Sequence, residues 1–173
     1  MRGITKQFKN VLANSNVDLL VQRGEIHSLL GENGAGKSTL MKILAGIEQP
    51  SAGKLYLDGK EVRFHSTRDA AAEGIGIIHQ ELNMFREMRV ADNMFAGNEI
   101  ARFGVIDRAA QRKRVREVLS RLQLDVDPDE KMMNLRVGQQ QIIEIGKTML
   151  KQKLRVLIMD EPTSSLSNAE VEV

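Results

Sequence analysis

The stretch that most limits what this chain can become is Gly31-Glu32-Asn33-Gly34-Ala35-Gly36-Lys37-Ser38-Thr39, a glycine, four residues and then Gly-Lys-Ser. It lies between a β-branched, apolar run, Ile26 to Leu30, and a helical pattern of Leu40, Ile43 and Leu44. That setting is the strand–loop–helix frame of a phosphate-binding loop. A polyphosphate is held by several backbone N–H donors turned inward, which requires a chain that reaches positive φ and approaches closely without Cβ atoms. Gly31, Gly34 and Gly36 are expected to supply this. The helix that follows turns the positive end of its dipole to the same place. Lys37 is then expected to reach the β- and γ-phosphates, and the Ser38 hydroxyl to sit on Mg²⁺. The competing reading is a glycine-rich turn with a chance lysine, which the flanking strand and helix patterns oppose. A dinucleotide fingerprint fails, because Thr39 stands where its last glycine belongs.

Bulk numbers bound the rest. With 173 residues there is material for one core and a subdomain. A chain of 42% hydrophobic and 28% charged residues has the composition of a soluble globular protein. Net charge is only +2 and aromatics 3%, so neither the clustered basic face nor the stacking platform of a nucleic-acid binder stands out. No cysteine is present, and His27, His65 and His79 are scattered, which leaves no obvious zinc site. No apolar run approaches the roughly 18 residues of a membrane span. The expectation is a cytoplasmic protein able to dock on a membrane partner.

Read in order, Met1 to Leu20 forms short strands around a polar turn at Lys9-Asn10. Phe8 either stacks on a nucleotide base or belongs to the core. Lys54 to Lys60 is half a hairpin ending in an Asp-Gly turn, and Ser66 or Thr67 caps a short helix through Ala70 to Ala72 that Gly74 stops. Ile75 to Ile78 forms a buried strand. Gln80 and Glu81 follow at its carboxyl end, where open α/β sheets place ligand-facing groups. The Gln80 amide is a candidate to sense the γ-phosphate or coordinate Mg²⁺, with a polar strand-end residue as the bland alternative.

From Val90 to Leu124 the pattern turns helical. Asp107 caps a long helix with Val115, Val118, Leu119 and Leu122 on one stripe. Its other faces carry Arg108, Arg112, Lys113, Arg114, Arg116 and Arg121, a solvated surface or a docking one. Asp125 to Asp129, with Pro128, reads as a loop, and residues 83 to 152 read as a helical insertion. Leu135 to Gln141 precedes a helix with Ile142, Ile145 and Met149 on its apolar face. Val156 to Met159 then reads as a buried parallel strand delivering Asp160 and Glu161 to the site. One carboxylate beside Mg²⁺ and one orienting water make a workable division, with Asp160 on the metal and Glu161 on the attacking water.

Taken together, the loop Gly31 to Thr39, Gln80, Leu135 to Gln141, the Asp160-Glu161 pair and Ser164-Ser165-Leu166-Ser167 resemble, in order, the ATP-binding subunits of ABC transporters. His79-Gln80-Glu81-Leu82-Asn83 and Val137-Gly138-Gln139-Gln140-Gln141 look like monosaccharide importers of the ribose, galactose and xylose type. The resemblance implies an α/β fold of the P-loop NTPase class, with a mixed sheet, an antiparallel β element and a helical subdomain. It implies ATP and Mg²⁺ as cofactors, Phe8 as the adenine-stacking aromatic, Gln80 as the residue coupling the site to the permease, Asp160 as the magnesium aspartate and Glu161 as the catalytic carboxylate. Its partners would be permease subunits, a second ATP-binding domain in a head-to-tail dimer and, indirectly, a solute-binding protein. Each signature loop, here Leu135, Arg136, Val137, Gly138 and Gln139, would close on the partner's ATP, while Gly31, Glu32, Asn33, Gly34, Ala35, Gly36, Lys37, Ser38 and Thr39 hold their own.

Two features depart from that pattern. Arg136 stands where the signature carries serine, a larger group whose cation opposes the positive helix end, and impaired closure or hydrolysis is expected. Residue 173 also falls before the point where the family's switch histidine is found, so residues 1–173 are expected to be a single, incomplete ATP-binding domain, either a truncated gene product or an excised piece.

Overall fold

A computed structural model describes residues 1–78, 84–150 and 154–159. The chain divides into two compact units, Met1–Gly76 and Ile77–Val173.

The first unit is built on a four-stranded sheet. β1 (Arg2–Phe8) and β2 (Val11–Val17) form a hairpin closed by Lys9 and Asn10, with Phe8 opposite Val11 and Lys6 opposite Asn14. β3 (Ala52–Leu57) pairs antiparallel with β1, and β4 (Lys60–Val62) with β3, giving the order β2-β1-β3-β4. Asp58 and Gly59 both take positive φ, 49° and 77°, as an Asp-Gly hairpin turn demands. Between the hairpins runs α1 (Lys37–Leu44), whose Leu40 and Ile43 are buried together with Ile4, Leu55 and Phe64. The short helix α2 (Thr67–Ala72) starts where Ser66 Oγ accepts from the Asp69 N–H at 3.2 Å, and Gly74 follows it at φ 88°. These turns and caps are the ones the side chains dictate.

The strand expected before the glycine loop does not form. Ile26 to Leu30 is irregular, with Ile26 97% and Leu30 88% exposed. A strand is a relation between segments, and apolar β-branched residues supply the surface for pairing but not the neighbour. Both edges of β1 are taken by β2 and β3, and among the described residues Ile26 to Leu30 has no ladder partner.

The second unit begins within β5 (Ile75–Ile78), which pairs with β8 (Val156–Met159) in a two-stranded sheet. β8 is less buried than its apolar run promised. Ile158 is covered and Met159 half exposed, and among the described residues β8 pairs with β5 alone, which buries only part of a strand. The rest is helical: α3 (Val90–Phe95), α4 (Arg108–Arg121), a 3₁₀ turn over Met132–Asn134 and α5 (Val137–Met149). Asp107 Oδ1 caps α4 through the Ala110 N–H at 2.9 Å. Val115, Val118 and Leu119 bury the expected stripe against Val90, Met94, Met132 and Ile143. The basic residues of α4 face solvent, apart from the half-buried Arg112. A small hairpin, β6 (Ala101–Arg102) and β7 (Val105–Ile106), interrupts the helical stretch where no strand was expected. The buried face of α5 is rotated from the expected one. Ile142, Ile143 and Gly146 point inward while Ile145 is half-buried, because α5 packs on both α3 and α4 and Gly146 lets them approach: a Cβ there would lie 3.1–3.2 Å from Met94, Val118 and Leu122.

Candidate functional site

The loop ahead of α1 has the geometry that anion binding requires. Gly34 and Gly36 take φ of 86° and 82°, whereas Gly31 is almost fully extended at 159°, so the left-handed backbone is concentrated in the second half of the loop. Glu32 O accepts from the Ala35 N–H at 3.2 Å. The Lys37 ammonium reaches back to donate to Gly31 O at 2.7 Å and Glu32 O at 2.8 Å, tying the two ends of the loop together. An ammonium has three N–H donors, so one is left for a phosphate oxygen. The first helical bond, Leu40 N–H to Gly36 O, is 3.0 Å, so the amides of Lys37, Ser38 and Thr39 lie before it and keep their hydrogens for an acceptor outside the helix. Ser38 is exposed and Thr39 half-buried.

Those donors share one character. Three amides, one ammonium hydrogen and an exposed hydroxyl gather at the positive end of α1, and no carboxylate stands in its first turn. A phosphate chain fits this set. A divalent ion would find one described ligand, the Ser38 hydroxyl, since among the described residues no group of three acidic or histidine side chains assembles.

The β1–β2 hairpin belongs to the same unit. Phe8, at the end of β1, is 40% exposed and outside the buried core. Lys6 Nζ lies 4.7 Å from its ring centroid and is itself fixed by Glu48 at 2.9 Å and Gln49 O at 2.7 Å. Asn14, opposite Lys6, points into the structure and donates from Nδ2 to Gly36 O at 3.2 Å. Sequence reasoning passed over Asn14. The available signal was an amide inside a strand otherwise read for its apolar alternation.

In the second unit, Leu135 and Arg136 lead into α5. Arg136 holds an extended backbone (φ −65°, ψ 154°) as the residue before the helix, and its N–H donates to Gln139 Oε1 at 3.0 Å. Gln140 Nε2 donates to Met132 O at 3.0 Å and Leu135 O at 2.9 Å, fixing the approach to the helix. Arg136, Val137 and Gly138 thus stand at the amino end of α5, with Arg136 and Val137 exposed and Gly138 buried.

The family model described as ABC transporter matches residues 14–164. The chain belongs to the ABC transporter family. It is 50% identical over 173 residues to the ribose import ATP-binding protein RbsA of Chromobacterium violaceum, and 47% identical over 173 residues to the xylose import ATP-binding protein XylG of Geobacillus kaustophilus. Each alignment covers 99% of this chain and 34% of the relative, so the chain spans about a third of the length of the curated relatives it matches. Among solved structures it is similar to cbiO1 of Clostridium perfringens, part of the transporter complex cbiONQ, at TM-score 0.82 and 28% identity over 99% of this chain and 68% of that one. A post-hydrolysis dimer of the cassette MJ0796 bound to ADP and Pi is 25% identical at TM-score 0.80, covering 99% of this chain and 77% of that one. These likenesses fix the fold as the P-loop class of ABC ATPases, an α/β architecture combining sheet and helix.

For an ABC cassette, the expected site residues fall into two groups. Gly31 to Thr39, Phe8 and Leu135 to Gln139 are described above. Gln80, Asp160 and Glu161, together with Ser164 to Ser167, lie outside the described residues.

Proposed function

We propose that the chain is the ATP-binding part of a subunit that binds and hydrolyses ATP to energise uptake of a sugar through a membrane permease. The supporting observation is the Lys37 ammonium drawn across the loop to Gly31 and Glu32, beside the amides of Lys37, Ser38 and Thr39, which have no acceptor among the described residues. The sugar class follows from the relatives named for ribose and xylose import. In this reading the cassette sits on the cytoplasmic face of the membrane, docks on permease subunits, pairs head-to-tail with a second ATP-binding domain and works with a solute-binding protein. Residues 83 to 152 form its helical insertion.

The residues act in sequence. The loop amides and Lys37 hold the β- and γ-phosphates, lowering the cost of charge that builds on the γ-phosphoryl oxygens as its bond to the leaving oxygen loosens. Phe8 carries the adenine. Ser38, Gln80 and Asp160 are the groups that would hold Mg²⁺, which supplies further charge neutralisation when bound. Glu161 accepts a proton from the water and aims it at the γ-phosphorus, in line with the departing ADP. Leu135 to Gln139 present the amino end of α5 to the nucleotide of the partner domain.

A second reading has one observation behind it. Arg136 brings a cation and no acceptor to the signature position, which fits a module that binds nucleotide but turns it over slowly. Phosphate release by the full-length protein separates the two. An ATPase loses at least tenfold on Glu161→Gln while still binding Mg-ATP; equal rates in both proteins leave the binding module, and failure of Lys37→Ala to weaken Mg-ATP binding removes both.

A further inference from the structure

We propose that Asn14 is a positioning residue of the phosphate loop: its side-chain amide ties β2 to the Gly36 peptide and holds the loop in its receiving shape. The proposal rests on reading that loop as a phosphate site.

Three observations converge on this contact. Asn14 is 6% exposed, yet among the described residues only one of its two polar groups is satisfied: Nδ2 donates to Gly36 O, while Oδ1 is buried with no partner there. A half-satisfied buried amide is less favourable than one that is fully paired, because the desolvated oxygen gains nothing in return. Leucine, with the same branching and the same number of side-chain heavy atoms, would avoid that cost, so apolar packing does not account for an amide here. What an amide does that leucine cannot is donate to a carbonyl. Second, the contact falls at the tightest point of the loop. A Cβ built on Gly36 would lie 2.3 Å from Ala13 O and 2.6 Å from Asn14 Nδ2, so β2 is pressed directly against the left-handed residue. Third, Gly36 O is also the acceptor of the first bond of α1, from Leu40 N–H. The Asn14 donor therefore fixes the peptide on which the orientation of the Lys37, Ser38 and Thr39 amides depends.

The geometry also gives the hairpin a role. Lys6, under the Phe8 ring, is the cross-strand partner of Asn14. One hairpin thus touches the phosphate loop through Asn14 and carries the ring proposed for the base, with a register shift between Lys6 and Gln7 separating the two. Loss of the Asn14 donor releases the loop end of this hairpin and leaves the Phe8 end in place.

The test is Asn14→Leu in the full-length protein, with two readouts. Binding of inorganic tripolyphosphate and of Mg-ATP is expected to weaken roughly tenfold, the loss of one hydrogen bond's worth of ordering. Amide hydrogen exchange without nucleotide is expected to speed up at Leu40, whose acceptor is Gly36 O, and to stay unchanged at Ala45 at the far end of α1. Unchanged binding together with unchanged exchange at Leu40 overturns the proposal. Exchange accelerated equally at Leu40 and Ala45 does too, because that is general destabilisation. If Asn14→Leu does not fold, Asn14→Asp, equal in shape and lacking the donor, is judged by exchange at Leu40 against Ala45 alone, because its added negative charge weakens phosphate binding by itself. A wild-type protein that ignores tripolyphosphate refutes the phosphate reading itself, and the exchange at Leu40 still decides whether Asn14 holds the loop.

Discussion

Gln139 Oε1 accepts a hydrogen bond from the Arg136 backbone N–H at 3.0 Å, so the first turn of α5 is tied down from one side alone. The reciprocal bond of a capping box needs an oxygen on the residue before the helix, and a guanidinium has none. Its charge also faces the positive end of the helix.

Arg136→Ser therefore has two expected effects. A serine hydroxyl in the same extended backbone accepts from the Gln139 N–H and completes the box, raising stability by about 1 kcal/mol and the melting temperature by about 3 °C. It also restores the hydroxyl that the resemblance places against the γ-phosphate across the dimer, so phosphate release by the full-length protein is expected to rise. A melting curve that does not move contradicts the capping argument, whatever the activity does.

Gly36→Ala is expected to destabilise the first unit by about 2 kcal/mol or more, adding left-handed strain for a residue with Cβ to a contact of 2.3 Å with backbone. Nucleotide binding should fall with it. Urea unfolding measures the first and Mg-ATP titration the second. A stable variant that binds normally means that the loop and β2 separate more easily than their packing indicates.

Asn93 is a staple of the second unit. Fully buried on α3, it accepts from the Phe85 N–H at 2.8 Å and donates to Phe85 O at 2.8 Å, with Met88 O and Arg89 O at 3.3 Å. Asn93→Ala strands these groups and is expected to cost about 2 kcal/mol in urea unfolding. Asn93→Asp keeps the acceptor and loses the donor, so an aspartate variant as stable as wild type would refute the donor's part.

Among the described residues three carboxylates, Glu25, Asp69 and Glu99, are held below their ordinary pKa, and Asp69 illustrates the consequence for acid stability. The Asp69 carboxylate accepts from the His65 N–H at 2.9 Å, and that bond, followed by those to Ser66, holds its pKa below the ordinary aspartate value. A depressed folded pKa means that the unfolded chain binds the proton more readily. The contribution is therefore present above the unfolded aspartate pKa of about 4 and is lost as pH falls through the folded value. Asp69→Asn is expected to flatten the acid limb of the unfolding midpoint against pH below about 4 and to leave its pH dependence near neutrality unchanged. The group is exposed, so the effect is small and read as a change of slope.

Local chemistry was legible in the residues wherever a side chain makes its own contact. Asp58-Gly59 makes its turn, Ser66 and Asp107 cap their helices, and the Val115–Val118–Leu119 stripe is buried, because each depends on atoms a few residues apart. Features that failed to show in advance involve distant partners. Nothing near Asp129 in sequence announces that its Oδ1 accepts from both Arg89 at 3.0 Å and Arg112 at 2.9 Å, joining the start of α3 to α4. The inward turn of Ile143 and Gly146 on α5 is likewise a choice made by two other helices.

The same division runs through the site. The spacing of Gly31, Gly36, Lys37 and Ser38 determined by itself that a helix would open on a glycine loop with an ammonium beside it, since loop, lysine and helix are contiguous and their geometry is local. Whether Ile26 to Leu30 would pair as a strand, and which side chain would brace Gly36 from below, was left to the tertiary structure. Pairing and bracing require a second segment at hydrogen-bond distance, and a sequence lists the groups that can bond without fixing which of them meet.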